Sequence, residues 1–454
     1  MASPIIYFDS ATGSDSLASG AGPSTAVNST TEGTTVSTSG DGLTVTFSGA
    51  TDLSGVAADD VIYLVDTTAG NRNFSKILTV DDGADSLTVE DAFGVSLSGL
   101  NWAIGGKRKT ICDDNSYKLI DNNGAAGDMG PNWTIEFMSG FAETVTRSLD
   151  VRSDGNDDDG YINIQGEVGA ATRPVFTLDN QHGWQAIDDY ARFAHFDIDI
   201  GTSTTNTYTP LRGSAGSVTI FFVDIRTTGA DASRKWKNFF SGHTNTGNVR
   251  FYGCEFSYSS GYGITVNRGY HVVGCKIGHT GDDAIVGTSY NGSVYVAFNE
   301  IYDSGGHGIH INQNWAKVSL HNNSIYDCVD DGIRVTEYNS DVDFIFDNIC
   351  AECGGYGYNV TVERDAEFVG GNVGFNCTSG IDSGNIRGSY AFANVDPDFV
   401  DGENGDLTPQ ADLSGIAGGG YWKTTGADNR YPGAVQPAAS GGGGAQLING
   451  GLVS

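Results

Sequence analysis

Four residues in the second half of the chain carry side chains suited to moving protons: Asp282, Asp283, His307 and Asp331. Asp283, His307 and Asp331 follow one another at intervals of 24 residues, each directly before a small residue and an isoleucine: Ala284-Ile285, Gly308-Ile309 and Gly332-Ile333. If 24 residues make one turn of stacked strands, the two aspartates two turns apart lie about 9 to 10 Å from each other, with the imidazole between them. Carboxyl groups about 6.5 to 9.5 Å apart are what inverting hydrolysis of a glycosidic bond uses, one as acid and one as base. Polar His310, Arg334 and Asn359 and aromatic Tyr290, Trp315 and Tyr338 lie on the same strands or in the loops after them. Together they form a candidate sugar-stacking groove. Two structural explanations compete: tight turns use Asp, His and Gly for their own geometry, and aromatics can simply cover an edge.

The elements that must position these residues repeat. Asn299, Asn323, Asn348 and Asn372 are spaced at 24, 25 and 24 residues, and Cys275 and Cys254 extend the column backwards at 24 and 21. Each follows a short β-rich run, such as Val294 to Phe298, and up to Asn348 each precedes another, such as Glu300 to Asp303. A third run opens on a small residue, placing Ile264, Ile285, Ile309, Ile333 and Tyr358 in one column. Three strands per repeat of this length, apolar at alternate positions, predict a parallel β-solenoid in which no turn buries its apolar face alone. The Asn column falls at a bend, where Asn is expected to take left-handed backbone angles and stacked amides to bond from turn to turn.

The chain divides into four stretches on this reading. Residues 1–27 form a leading cap segment, with a Gly/Ser/Asp turn after Tyr7-Phe8. Residues 28–109 carry alternating strands at hairpin spacing, from Leu43 to Phe47, Val61 to Val65, Ser75 to Val80 and Ser86 to Glu90. They read equally as a small antiparallel β-domain or as a cap of the solenoid. Residues 110–397 are the parallel β-helix, with long loops over 201–216 and 227–246. Residues 398–454 close the stack and end in a Gly-rich tail.

Composition narrows the partners. The 454 residues carry a net charge of −32, with 65 glycines and 18% charged residues. That balance speaks against nucleic acid and against an anionic membrane surface, and an acidic glycan would need cations to mediate. No apolar run is long enough to cross a membrane. Met1 to Phe8 lack the pattern of a secretory peptide, so the expectation is either a peptide already removed or release by another route, such as lysis. Five of the seven cysteines fit ladder positions: Cys254 and Cys275 stand in the Asn column, and Cys328, Cys353 and Cys377 continue a column begun by Thr280 and Ser304. Small, buried, stackable side chains explain them better than a disulfide framework. No cofactor is implied. Asp330-Asp331 and Asp157-Asp158-Asp159 could hold Ca²⁺ or be solvated turns.

The repeats and the Asn column resemble the right-handed parallel β-helix of the pectin lyase-like superfamily, a fold that hosts lyases, hydrolases, adhesins and phage tailspikes. Gly281-Asp282-Asp283 and Gly306-His307-Gly308-Ile309 are similar to two motifs of the polygalacturonase family. By that resemblance Asp283 or Asp282 is the acid or base and His307 orients it. Tyr262 stands where that family has its first catalytic Asp, and only Asp331-Gly332-Ile333-Arg334 loosely matches its substrate motif. The Trp102-to-Lys109 string and the segments Asn394 to Leu407 and Tyr431 to Gln436 resemble parts of phage and bacterial β-helix proteins. The resemblance implies a phage virion protein, a homotrimeric tailspike, fibre or capsid-attached adhesin that meets other virion proteins and binds a surface polysaccharide. The alternative is a secreted or virion polysaccharide hydrolase or lyase.

Overall fold

Alternation between apolar and polar residues sets the inward and outward side of every strand, and the repeat length decides which strands stack. The computed structural model describes residues 5–11, 27–28, 32–58, 60–64, 74–90, 92–93, 96–105, 107–108, 111–112, 133–151, 161–178, 183–186, 190–202, 209–213, 219–242, 248–287, 292–314, 317–338, 343–362, 368–383 and 393–410. Two compact units are present, Met1–Gly201 and Thr202–Ser454.

The second unit is built from three parallel sheets visited in rotation. The first sheet contains Ile220–Val223, Val249–Tyr252, Tyr270–Val273, Ser293–Ala297, Lys317–His321, Asp343–Phe346 and Phe368–Gly370. The second runs from Arg226–Thr228 through Lys276–Thr280, Glu300–Ser304 and Ser324–Cys328 to Ala393–Asn394. The third holds Ile264–Val266, Ile285–Gly287, Ile309–Asn314, Ile333–Tyr338 and Tyr356–Val362 among its strands. Ile264, Ile285, Ile309, Ile333 and Tyr358 are direct neighbours in register, and all are fully buried. Burying each such side chain contributes about 1.5 to 3 kcal/mol, so the column is a main source of cohesion between turns.

The corner between the first and second sheets carries the Asn column. The Nδ2 of Asn299 donates to Asn323 Oδ1 at 2.9 Å and to the Val272 carbonyl at 2.8 Å. Asn323 and Asn348 repeat both bonds. The backbone N–H of Asn299 also donates to Asn323 Oδ1, and the same holds one turn on at each step. The expectation for the backbone is corrected: the left-handed residue is the one before each Asn. Phe298, Asn322, Asp347 and Gly371 have φ of 58°, 53°, 52° and 66°. Turning one residue early lets the Asn itself point inward, where its amide meets the next. Its burial, at 1% exposure or less in all four, requires every amide atom to be bonded.

In the first unit, Ile5–Phe8 pairs in parallel with Thr134–Phe137, which pairs with Ile162–Gly166. Rings of Phe8, Phe137, Phe141, Phe176 and Trp184 fill the space beneath. In chain order, the segment between the first two of these strands forms a seven-stranded sheet running from Val27–Asn28 to Trp102–Ile104. Its strands pair antiparallel. It has a core of its own around Val45, Phe47, Ile62, Leu87, Trp102 and Ile104, so the antiparallel reading of this region holds.

The closing segment forms a hairpin of Phe399–Asp401 and Asp406–Pro409. It lies over the second sheet: Leu407 N–H donates to Glu300 Oε1 at 3.2 Å, and Lys276 Nζ donates to the Asn404 carbonyl at 3.3 Å. Gly405 sits so close to the Tyr302 ring that a Cβ would lie 2.3 Å from it, which is why this turn needs glycine. The Gly-rich tail, Tyr431 to Gln436 and Asp157-Asp158-Asp159 lie outside the described residues. Among the described residues no helix is long and apolar enough to cross a membrane.

Candidate functional site

Asp283, His307 and Asp331 stand at the corner leading into the third sheet, on successive turns. Each turns one side-chain atom to the backbone of the next turn. Asp283 Oδ1 accepts the N–H of His307 at 2.7 Å, His307 Nδ1 accepts that of Asp331 at 3.0 Å, and Asp331 Oδ1 accepts that of Tyr356 at 2.7 Å. In the first and third of these steps, glycine directly before the donating residue makes the approach possible. A Cβ on Gly306 would lie 2.4 Å from Asp283 Oδ1, and one on Gly355 would lie 2.4 Å from Asp331 Oδ1.

The second atom of each side chain points to the outer face of the third sheet. There it meets a residue three positions further along the next turn. Asp283 Oδ2 is 2.8 Å from His310 Nδ1, His307 Nε2 is 3.2 Å from an Arg334 guanidinium nitrogen, and Asp331 Oδ2 accepts from Asn359 Nδ2 at 2.9 Å. His310, Arg334 and Asn359 are neighbours in register. All three are partly exposed, while Asp283, His307 and Asp331 are buried, at 5 to 6%.

The middle pair is chemically unbalanced. A neutral imidazole has one lone pair, and the Asp331 N–H takes it at Nδ1, which leaves a proton on Nε2. Arg334 has no lone pair to offer, so two donors face each other. Burial pushes the His307 imidazole below its ordinary range, against the pull of Asp283 and Asp331. The ring is therefore neutral, and charging it would not relieve the clash. Burial also works to raise Asp283, but the hydrogen bonds from His310 and the His307 N–H outweigh it and hold the carboxyl below the usual range.

Asp283, His307 and His310 offer donor atoms within 4.8 Å of one another, close enough for one cation to reach all three. Calcium takes six to eight oxygen ligands, and two of these three residues present nitrogen. A softer divalent ion would suit imidazole, but binding at His307 Nε2 needs the proton on Nδ1, where the Asp331 N–H already points. Arg334 also holds a positive charge 3.2 Å away. The residues present do not fit a metal.

The structure thus brings together Asp283, His307, His310, Asp331, Arg334 and Asn359. Asp282 sits beside them as a turn residue, its Oδ1 accepting the Asp283 N–H at 3.0 Å. Tyr290 and Trp315 lie outside the described residues, as does the side chain of Tyr338, whose backbone pairs with Asn314. Sequence reasoning picked these residues but not the pairing between them; the constant offset, 27 or 28 residues from each corner residue to its partner, was the available signal. The cysteines are all free thiols. Burial pushes Cys350 well above its ordinary range, so it stays protonated and inert.

A family model described as a right handed beta helix region matches residues 242–394. With the stacked parallel sheets it makes this a right-handed parallel β-helix protein. A comparison with curated proteins gives no match. Among solved structures, the pectate lyase Pel9A is similar at 13% identity over 68% of this chain and 88% of that one, with a TM-score of 0.46. A PL6 family polysaccharide lyase from Pseudopedobacter saltans follows at 13% identity, 60% and 85% coverage and a TM-score of 0.33. The tailspike protein gp49 from Pseudomonas phage LKA1 is similar at 11% identity, 77% and 66% coverage and a TM-score of 0.20. Scores this low mark distant likenesses and carry nothing about chemistry.

Proposed function

We propose that this protein holds a host surface polysaccharide on the outer face of its third sheet, as a phage tailspike, fibre or capsid-attached adhesin that works as a homotrimer among other virion proteins. The observation that carries the binding part is the row of outward atoms on three successive turns. A solenoid needs only uniform ladders to hold its turns together. Here Asp283 with His310, His307 with Arg334 and Asp331 with Asn359 place three different polar pairs side by side, two of them hydrogen-bonded and one with its donors opposed. The facing donors of His307 and Arg334 gain a common acceptor when a sugar hydroxyl or carboxylate enters. The particle setting is supported by the acidic, Gly-rich composition and by the antiparallel module set between the leading strand and the solenoid.

The second reading, a polygalacturonase-like hydrolase or a lyase, draws on the Gly-Asp-Asp and Gly-His-Gly strings. It is weakened by the state of the carboxylates. Asp283 is held in its ionised form, which a proton donor cannot be, and both oxygens of Asp283 and of Asp331 are engaged.

The test is to incubate wild type and an Asp283→Asn/His307→Ala double variant with a panel of neutral and acidic polysaccharides, following retention, reducing ends and unsaturated products. Retention without product, lost in the double variant, is the expected result. Product release that disappears in the variant would transfer the protein to the enzymes, and no retention on any glycan would sink the binding reading.

A further inference from the structure

The outer face of the first sheet differs from the rest of this acidic protein. Its main outward row, in register, is Phe221, Arg250, His271, Tyr295, Ser319 and Phe344. The parallel row beside it includes Tyr252 and His321. Neither row contains Asp or Glu in the described strands, although the chain carries 56 acidic residues. These side chains are half-buried rather than sealed, so part of each remains within reach of solvent.

The rings form two groups with Arg250 between them in register. Phe221 and Tyr252 stack at 6.4 Å with 20° between their planes, His271 and Tyr295 lie 5.4 Å apart, and Tyr295 and His321 lie 5.0 Å apart. The Tyr295 hydroxyl meets His321 Nε2 at 2.9 Å. Arg250 lies over the Phe221 ring at 5.1 Å, and among the described residues it meets no carboxylate. Its Nε is sealed from solvent without a hydrogen-bond partner. Burial and the neighbouring Arg250 push His271 below its ordinary range, so Arg250 carries the charge between the two ring groups and exposed Lys317 carries another at the edge of the strip.

We propose that this strip is a second glycan-binding track, distinct from the third-sheet row, and that its ligand is an extended anionic polysaccharide. The rings supply stacking faces for sugars, and the Arg250 guanidinium, which meets no carboxylate among the described residues, supplies a planar fork for a carboxylate or sulfate. The acidic remainder of the surface repels such a chain weakly, because charges beyond about 8 Å are screened at physiological salt. Size favours a glycan over a second copy of the protein. Five steps of about 4.8 Å between strands, by a width of four residues at about 3.3 Å, give roughly 300 Å², against about 800 Å² per partner in a stable protein interface.

The experiment is amide hydrogen exchange with and without polygalacturonate oligosaccharides, using dextran oligosaccharides as the uncharged control. It is paired with titrations of Arg250→Gln and Ser319→Glu variants, whose melting curves report folding. Protection over 249–252, 270–273 and 293–297 with the anionic probe alone, and about tenfold weaker binding in both folded variants, is the expected result. Protection confined to 309–314 and 333–338 would overturn this track while leaving the third-sheet site standing. Protection at neither sheet would overturn both for this class of ligand. Self-association of the wild type that Ser319→Glu abolishes would give the strip to a second copy and overturn the proposal.

Discussion

Two corners of the second unit solve the same problem with opposite polarity. At the Asn corner the side-chain oxygen of one turn accepts the backbone N–H of the turn before it, as Asn323 does for Asn299. At the corner into the third sheet the side chain accepts from the turn after it, as Asp283 does for His307. The difference that matters is what remains afterwards. An Asn amide in the ladder spends both atoms on its neighbours and on a carbonyl of the first sheet, so every turn can repeat it and nothing is left to bind. Asp283, His307 and Asp331 each keep one atom, and each finds a different partner. Uniform chemistry yields a seam, and varied chemistry in the same structural role yields a site.

The comparison breaks most visibly at the seam. Asn323→Ala strips the acceptor from the N–H and Nδ2 of Asn299 and the donor from Val296 and Asn348. A buried polar group left without a partner costs about 1 to 3 kcal/mol. The loss should exceed about 3 kcal/mol in urea unfolding, with little direct effect on any ligand once the protein is folded.

A smaller effect comes from pH. His307 titrates below its ordinary range when folded because of burial, so the unfolded chain takes up the proton first. The contribution is complete above the unfolded value of about 6.5 and is lost as pH falls from there through the folded value. Urea midpoints at about pH 7.5 and pH 5 should therefore fall further apart in wild type than in His307→Gln. Equal spacing would mean that the ring is not held neutral.

The smallest change in stability is expected for Asp283→Asn, which keeps the oxygen that accepts the His307 N–H. Unfolding should shift by less than about 1 kcal/mol, while polysaccharide retention drops because the contact to His310 has reversed its polarity. A large loss of stability with retention intact would make this corner a second seam and nothing more.

The period of the sequence made the solenoid, its columns and the corner residues legible, because stacking imposes the same spacing on every turn. The left-handed position was misplaced because Asn is a residue known for that conformation, and Phe298, which adopts it at 58°, is not. Only the requirement that the amide face inward moves the bend one residue earlier. The direction of the hydrogen bonds at the Asp/His corner could not be read either. It depends on Gly306 and Gly355 letting a carboxylate reach over them, a contact between turns that spacing does not encode. The aromatic strip of the first sheet went unremarked for a simpler reason: Phe221, Arg250, His271 and Tyr295 do not repeat a residue type, so no column announces them.

The opposed polarity of the corners also bears on the order in which the chain leaves the ribosome. A turn that has just emerged finds its Asp/His-corner N–H accepted at once by the turn already made, as His307 finds Asp283. The N–H of its Asn must wait for the turn still to come, as Asn299 waits for Asn323. If turns form in the order of synthesis, the stack grows with one corner fastened and the other open, and its newest turn is the one with an Asn-corner N–H to offer.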